Sequence, residues 1–188
     1  MSMPAPLPEI TTVEQLLALP DDGLRHELLD GVHVVSPAPR PVHQLVFGEL
    51  FYALKAALES RTDVEVFSSP ADIVLGPHIL VQPDVFVVAR PGGRRIERWQ
   101  DAGVPLLAIE ILSPSTAARD RGAKRRIYQR EGVGEYWIVD ADSRLVERWR
   151  PADERPEIVT GLLRWSLPGG ASGEIDLEAA FRKAVGDE

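Results

Sequence analysis

Residues 106–116 read LLAIEILSPST, and this run constrains the fold more than any other in the chain. Six of its first seven residues are apolar, the pattern of a strand buried on both faces, which requires layers packed on each side of its sheet. Inside the run stands Glu110. A lone carboxylate there is strongly destabilising unless a cation or hydrogen-bond donors meet it. The fold must therefore bring a partner to Glu110.

The surrounding sequence supplies candidate layers. SPST (113–116) stops the strand and offers N-caps; a helix is expected from about Asp120 to Glu131, closed by Gly132, and EYWIVD (135–140) reads as the next strand. Upstream, Thr11 and Glu14 have capping-box spacing for a short helix ending before Pro20. HELLDGVHVV (26–35) is a hairpin signal, because Asp30-Gly31 suits a turn with positive φ at both central residues. In its first arm Glu27 and Leu29 share one face and Leu28 takes the other. Apolar residues from Val42 to Leu58 recur at helical spacing after a Pro-rich break. Strands are expected at 64–69, 73–75, 79–81 and 84–89, then a charged loop to Val104. Further strands are expected at 144–150 and 157–165, with a terminal helix at 176–185. A strand–helix–strand unit beside antiparallel meanders predicts an α/β fold, a mixed sheet flanked by helices rather than a barrel.

Size and composition set the frame. At 188 residues, one domain over 11–188 is expected, preceded by a flexible Pro-rich N-terminus at 1–10. No 18-residue apolar window exists and MSMPAPLPEI lacks a leader pattern, so a cytoplasmic location with no membrane partner is expected. With no cysteine, disulfides and thiolate metal sites are excluded. A net charge of −8 speaks against a body coated by nucleic acid, yet RDRGAKRRIYQR (119–130) carries six basic residues and one acid. Such a run reads either as a solvated helix face or as a local phosphate-facing surface.

Two acids interrupt strand-like segments: Asp84, opening DVFVV after Pro83, and Glu110. If their strands are neighbours, both reach one end of the sheet, where paired carboxylates repel unless a cation lies between them. Such oxygens suit Mg²⁺. Asp120, Lys124 and Tyr128 are spaced i, i+4, i+8 on one helix face, so Lys124 can lean back onto Glu110. Glu27 is a fourth candidate. Each also has a plain structural reading: Pro-Asp as a turn, Glu110 and Lys124 as a core ion pair, Glu27 as a solvent-facing hairpin residue, His43 as a cap or packing residue. Their combination carries the catalytic reading.

The order QPD (82–84), EILSPST (110–116), D-x-x-x-K-x-x-x-Y (Asp120, Lys124, Tyr128) and GVGEYWIVD (132–140), after HELLDG (26–31), resembles the Uma family of restriction-endonuclease-like proteins within the PD-(D/E)XK nuclease superfamily. The resemblance spans about residues 11–181. It implies a restriction-endonuclease-like fold, Mg²⁺ (or Mn²⁺) as cofactor, and phosphodiester hydrolysis with DNA as partner. It further implies Asp84, Glu110 and the backbone carbonyl of Ile111 as metal ligands, with Glu27, Asp84, Glu110 and Lys124 as the catalytic set. The superfamily's lysine two places after the glutamate is Leu112 here, and the resemblance puts that role on Lys124. Arg119, Arg121, Arg125 and Arg126 are expected to hold the phosphate backbone, and a homodimer is the arrangement by which such enzymes cut two strands. The alternative is a catalytically inactive module of the same fold that binds nucleic acid or a protein.

Overall fold

The computed structural model describes residues 9–186. The expected flexible tail at 1–10 lies outside them except for Glu9 and Ile10. A short helix α1 (Val13–Leu17) precedes the hairpin β1 (Arg25–Leu29) and β2 (Val32–Ser36), then the long helix α2 (Pro41–Ala57). Four strands follow: β3 (Val64–Ser68), β4 (Ile73–Gly76), β5 (Ile79–Val81) and β6 (Val85–Ala89). After the charged loop come β7 (Leu107–Ile111) and a continuous helical run: α3 (Ala117–Arg119), a π-helical turn (Asp120–Lys124) and α4 (Arg125–Arg130). The chain ends with β8 (Glu135–Asp140), β9 (Leu145–Trp149), β10 (Glu157–Val159), β11 (Leu162–Ser166), β12 (Ser172–Asp176) and α5 (Leu177–Val185). No described helix is long and apolar enough to cross a membrane.

The centre is a six-stranded mixed sheet in the order β10-β9-β8-β7-β6-β3. Only β7 and β8 run parallel in it, joined by the helical run, as the strand–helix–strand reading anticipates. Alternation assigns its residues to two cores. Val85, Val87, Leu107, Ile109, Ile111, Trp137 and Val139 face α2, α5 and the β11–β12 ribbon. Phe86, Val88, Ala108, Tyr136 and Ile138 face the other way, toward α4 and the four-stranded sheet β2-β1-β5-β4. Glu110 shares parity with Ala108, so it points into this second layer, between the central sheet, the hairpin and the helical run.

The hairpin turns as expected, with Asp30 at φ 51° and Gly31 at φ 80°. Four local expectations shift. The capping box of α1 is Thr12 with Gln15, one residue later than the Thr11–Glu14 spacing, because Gln15 Oε1 accepts from the Thr12 backbone N–H at 3.1 Å. The third helix starts at Ala117 rather than Asp120, since Ser113 and Thr116 carbonyls already accept helical N–H bonds from Ala117 and Asp120. The expected strand at 157–165 breaks in two around Thr160-Gly161, so that β10 joins the central sheet while β11 pairs with β12. β12 had no visible strand pattern; Ser172, Gly173 and Glu174 are poor strand formers held by pairing with β11.

One close approach locks the parallel crossover. A Cβ on Gly134 would lie 2.6 Å from the Leu106 carbonyl oxygen and 3.0 Å from Pro168. Gly134→Ala is therefore expected to lower unfolding free energy by about 1–3 kcal/mol, measured by urea titration, because the obstacle is backbone that cannot swing aside. An unchanged midpoint would mean that the β7–β8 entry is looser than its geometry indicates.

Candidate active site

Register brings the acids together. Val85 pairs with Ile109 and Phe86 with Ala108 in the antiparallel β6–β7 ladder. Continuing that ladder by one rung sets Asp84 opposite Glu110, on the same face. Side chains so placed have Cβ atoms about 4.5–5.5 Å apart. Asp84 then curls over the strand end, where its Oδ2 accepts the Ile111 backbone N–H at 2.8 Å. Ile111, expected to present its carbonyl to a metal, thus supports Asp84 through its amide and lines the same cleft.

The helical run delivers the lysine. Lys124 Nζ lies 2.8 Å from Glu110 Oε1, 2.7 Å from Glu27 Oε1 and 3.9 Å from Asp120 Oδ1. Tyr128, one further step along the face, donates its hydroxyl to Glu110 Oε1 at 3.0 Å. All five side chains are buried. The face predicted from spacing is real, although Asp120–Lys124 is a π turn. Such turns recur at functional sites. The residue that would have carried the lysine in the strand, Leu112, is half-buried against the second core.

The hairpin supplies the rest. Glu27 is fully buried, not solvent-facing, and accepts the Gln82 backbone N–H at 2.8 Å. Arg25, two residues earlier and hence on the same face, reaches both motif acids: Nη1 lies 2.8 Å from Asp84 Oδ1, and Nη2 lies 3.7 Å from Glu110 Oε2. From α2, His43 Nε2 stands 3.0 Å from Asp84 Oδ2. Neither residue was singled out for this role from sequence. Arg25 had a usable signal in its two-residue spacing from Glu27, whereas nothing local tied His43 to Asp84, 41 positions away.

Burial and charge divide the carboxyls into two kinds. Burial opposes ionisation of Asp84, yet the His43 hydrogen bond, the Arg25 charge and the Ile111 N–H hold it down at about 2. Burial likewise acts against Glu27, and Lys124 and Arg25 outweigh it, so its pKa is lowered. For Glu110 burial dominates and, despite Lys124, pushes the carboxyl up to about 8, with Asp84 and Asp120 adding to the rise. Asp120 is raised too, chiefly by burial. Burial disfavours the ammonium of Lys124, but Glu110, Glu27 and Asp120 keep it charged.

The cluster opens on a cleft of about 440 Å³ whose walls include Gly23–Arg25, 36–40, 113–116 and Arg119. Of the four arginines expected to hold phosphates, only Arg119 lines it, donating to Ser36 Oγ at 2.7 Å. Arg121 is committed to Asp140 and Glu147, Arg125 stacks on Trp149 with its guanidinium carbon 4.8 Å from the ring centre, and Arg126 is exposed near Asp30. The expected basic helix face is therefore mostly structural. Arg40, at the N-terminus of α2, lines the cleft instead.

The donor set fits a hard divalent cation. Carboxylate oxygens suit Mg²⁺, which keeps most of its waters and needs one or two protein acids. Among the described residues no three His, Cys, Asp or Glu side chains form a ready cage. Four acids (Glu27, Asp84, Glu110, Asp120) nonetheless face two permanent cations, Arg25 and Lys124. Buried oxygens Glu27 Oε2 and Asp120 Oδ1 have no hydrogen-bond partner. The donors Arg25 Nε and Nη2 are buried without partners as well, so the acids and cations of the cluster satisfy one another incompletely.

A mixed sheet with one parallel crossover, flanked by helices and carrying Glu110 on β7 with Asp84 immediately before the adjacent β6, defines a restriction-endonuclease-like α/β protein. The same architecture is seen in the crystal structure of "a putative nuclease belonging to DUF820" from Anabaena variabilis, which superposes with a TM-score of 0.77 at 20% identity over 93% of this chain and 99% of that one. The chain belongs to the Uma2 family, described as "Putative restriction endonuclease", which matches residues 13–178. An uncharacterized protein of Synechocystis sp. is 27% identical over 152 residues, 80% of this chain and 78% of its own.

Proposed function

We propose that the protein is a divalent-metal-dependent nuclease that hydrolyses phosphodiester bonds in DNA. The observation that carries this reading is Asp84, at the entry of β6, and Glu110, on the paired β7, both within reach of the Arg25 guanidinium, with the Lys124 ammonium 2.8 Å from Glu110. In this reading Asp84, Glu110 and the Ile111 carbonyl hold Mg²⁺ or Mn²⁺. Bound there, the ion would supply Lewis-acid charge and lower the pKa of an attacking water. His43 and the Ile111 amide fix Asp84 in its ionised form. Lys124 holds the Glu110 carboxyl in place and adds positive charge beside the bond being broken. Glu27 anchors Lys124 through its Oε1. Arg40 and Arg119 bring positive charge to the cleft walls, where they contact the sugar–phosphate backbone without reading bases.

A second reading has its own support. Leu112 stands where the superfamily lysine belongs, and the Arg25 guanidinium already bridges the two acids. In that reading the fold is kept as a binding module for nucleic acid or protein. Supercoiled plasmid and single- and double-stranded oligonucleotides, incubated with Mg²⁺ or Mn²⁺, separate the two. Cleavage is expected, abolished by EDTA and by Asp84→Asn; an inert protein on every DNA form favours the module. Gel filtration with and without DNA tests the homodimer that two-strand cutting calls for.

A further inference from the structure

Arg25 differs from Lys124 in how it is held. Lys124 is sealed in, with two acids within hydrogen-bonding distance. The Arg25 side chain is 26% exposed, while Asp84 and Glu110 beneath it are 5% and 4% exposed. It stands at the start of β1, on the cleft wall beside Gly23 and Leu24. A structural arginine usually grips one carboxylate with two parallel bonds. Here the fork is split: a single 2.8 Å bond to Asp84, a 3.7 Å approach to Glu110, and Nε and Nη2 buried without hydrogen-bond partners. The guanidinium sits where charge is needed but satisfies few of its own donors. It also has somewhere to go, because the 440 Å³ cleft opens beside it.

We propose that Arg25 is a placeholder cation: it neutralises Asp84 and Glu110 in the metal-free protein, and a divalent ion binds only by displacing it into the cleft. This inference rests on the metal-site reading above. It follows that Arg25 competes with the metal, so that removing its charge tightens metal binding. Displaced, the guanidinium stays on the cleft wall, where its fork suits a phosphate.

Calorimetric titration with Mn²⁺ of wild type, Arg25→Met, Arg25→Lys and Asp84→Asn tests it without any substrate. Arg25→Met is expected to bind about tenfold or more tightly than wild type, the scale of one charge-assisted hydrogen bond. Arg25→Lys, shorter and unable to span both acids, is expected to fall between the two and covers the case in which the methionine variant folds poorly. Metal-free Arg25→Met is expected to melt below wild type and to gain more from added Mn²⁺. In ¹⁵N-labelled wild type, the Arg25 Nε–H resonance, assigned by its loss in Arg25→Lys, is expected to shift on Ca²⁺ addition. Equal or weaker affinity in both Arg25 variants, with binding still lost in Asp84→Asn, overturns the placeholder role and leaves the metal site standing. Absence of binding heat in wild type and both Arg25 variants overturns the metal site, and the placeholder with it.

Discussion

Lys124→Met is expected to lower folding stability by about 3–5 kcal/mol at neutral pH, the usual effect of breaking a buried ion pair by deleting one partner. The ammonium is the nearest cation to Glu27 Oε1 and to Glu110 Oε1. Methionine fills similar volume, so the loss is electrostatic rather than a cavity. Glu110, raised by burial to about 8, can keep its proton and escape much of the penalty. Glu27 cannot escape so easily: its lowered pKa depends largely on Lys124, and afterwards only the Gln82 amide would face its Oε1. The deficit should therefore shrink in acid, as Glu27 is protonated. For a chain of this length the melting temperature should fall by roughly 6–20 °C. Urea denaturation of wild type and variant at neutral and acidic pH measures both effects; a loss below about 1 kcal/mol would remove Lys124 as the electrostatic keystone of the cluster.

Glu110→Gln is expected to separate activity from stability. Under the proposed function, cleavage should fall by roughly 10³-fold or more, since the variant would lose one of two charged oxygen donors proposed for the metal and with it several kcal/mol of transition-state charge stabilisation. Folding should move the other way. The Glu110 carboxyl titrates at about 8 in the native protein and near 4.5 when unfolded. A raised acid contributes stability that is complete below pH 4.5 and is lost as pH climbs through about 8, because the unfolded chain has already released the proton. Glutamine has no such proton and still accepts from Lys124 and Tyr128. The stability of Glu110→Gln relative to wild type should thus rise steadily from pH 5 to pH 8 in metal-free buffer with EDTA. Parallel stability curves over that interval would place the Glu110 charge in a better solvated setting than its 3% exposure describes. Asp84 behaves oppositely: its lowered pKa contributes stability above about pH 3.8 that disappears as pH falls toward 2.

These two acids also show how far local pattern reaches. Both were visible as carboxylates interrupting apolar runs, whereas the face each takes came with the β6–β7 register. The Lys124–Tyr128 face followed from helical spacing, and the Asp30-Gly31 turn from its demand for positive φ. Arg121 and Arg125 lay in the same basic run as Arg119, yet the first is drawn to Asp140 and Glu147 and the second to Trp149. Their partners come from β8 and β9, and no spacing within the helix reports that.

What the amino-acid order determined alone is the kind of element at most positions, the face of Glu27 in its hairpin arm, and the family pattern that Glu27, Asp84 and Glu110 carry. Those depend on turn chemistry, side-chain alternation and helical period, all of which act over a few residues. The tertiary structure decided that β6 lies beside β7, that Arg25 spans 59 positions to reach Asp84, that His43 closes on the same carboxylate, and that β12 exists as a partner for β11. Those outcomes depend on which distant segments can close together and bury both faces of the central sheet at once. That is a property of the whole packed chain and is written in no single window of it.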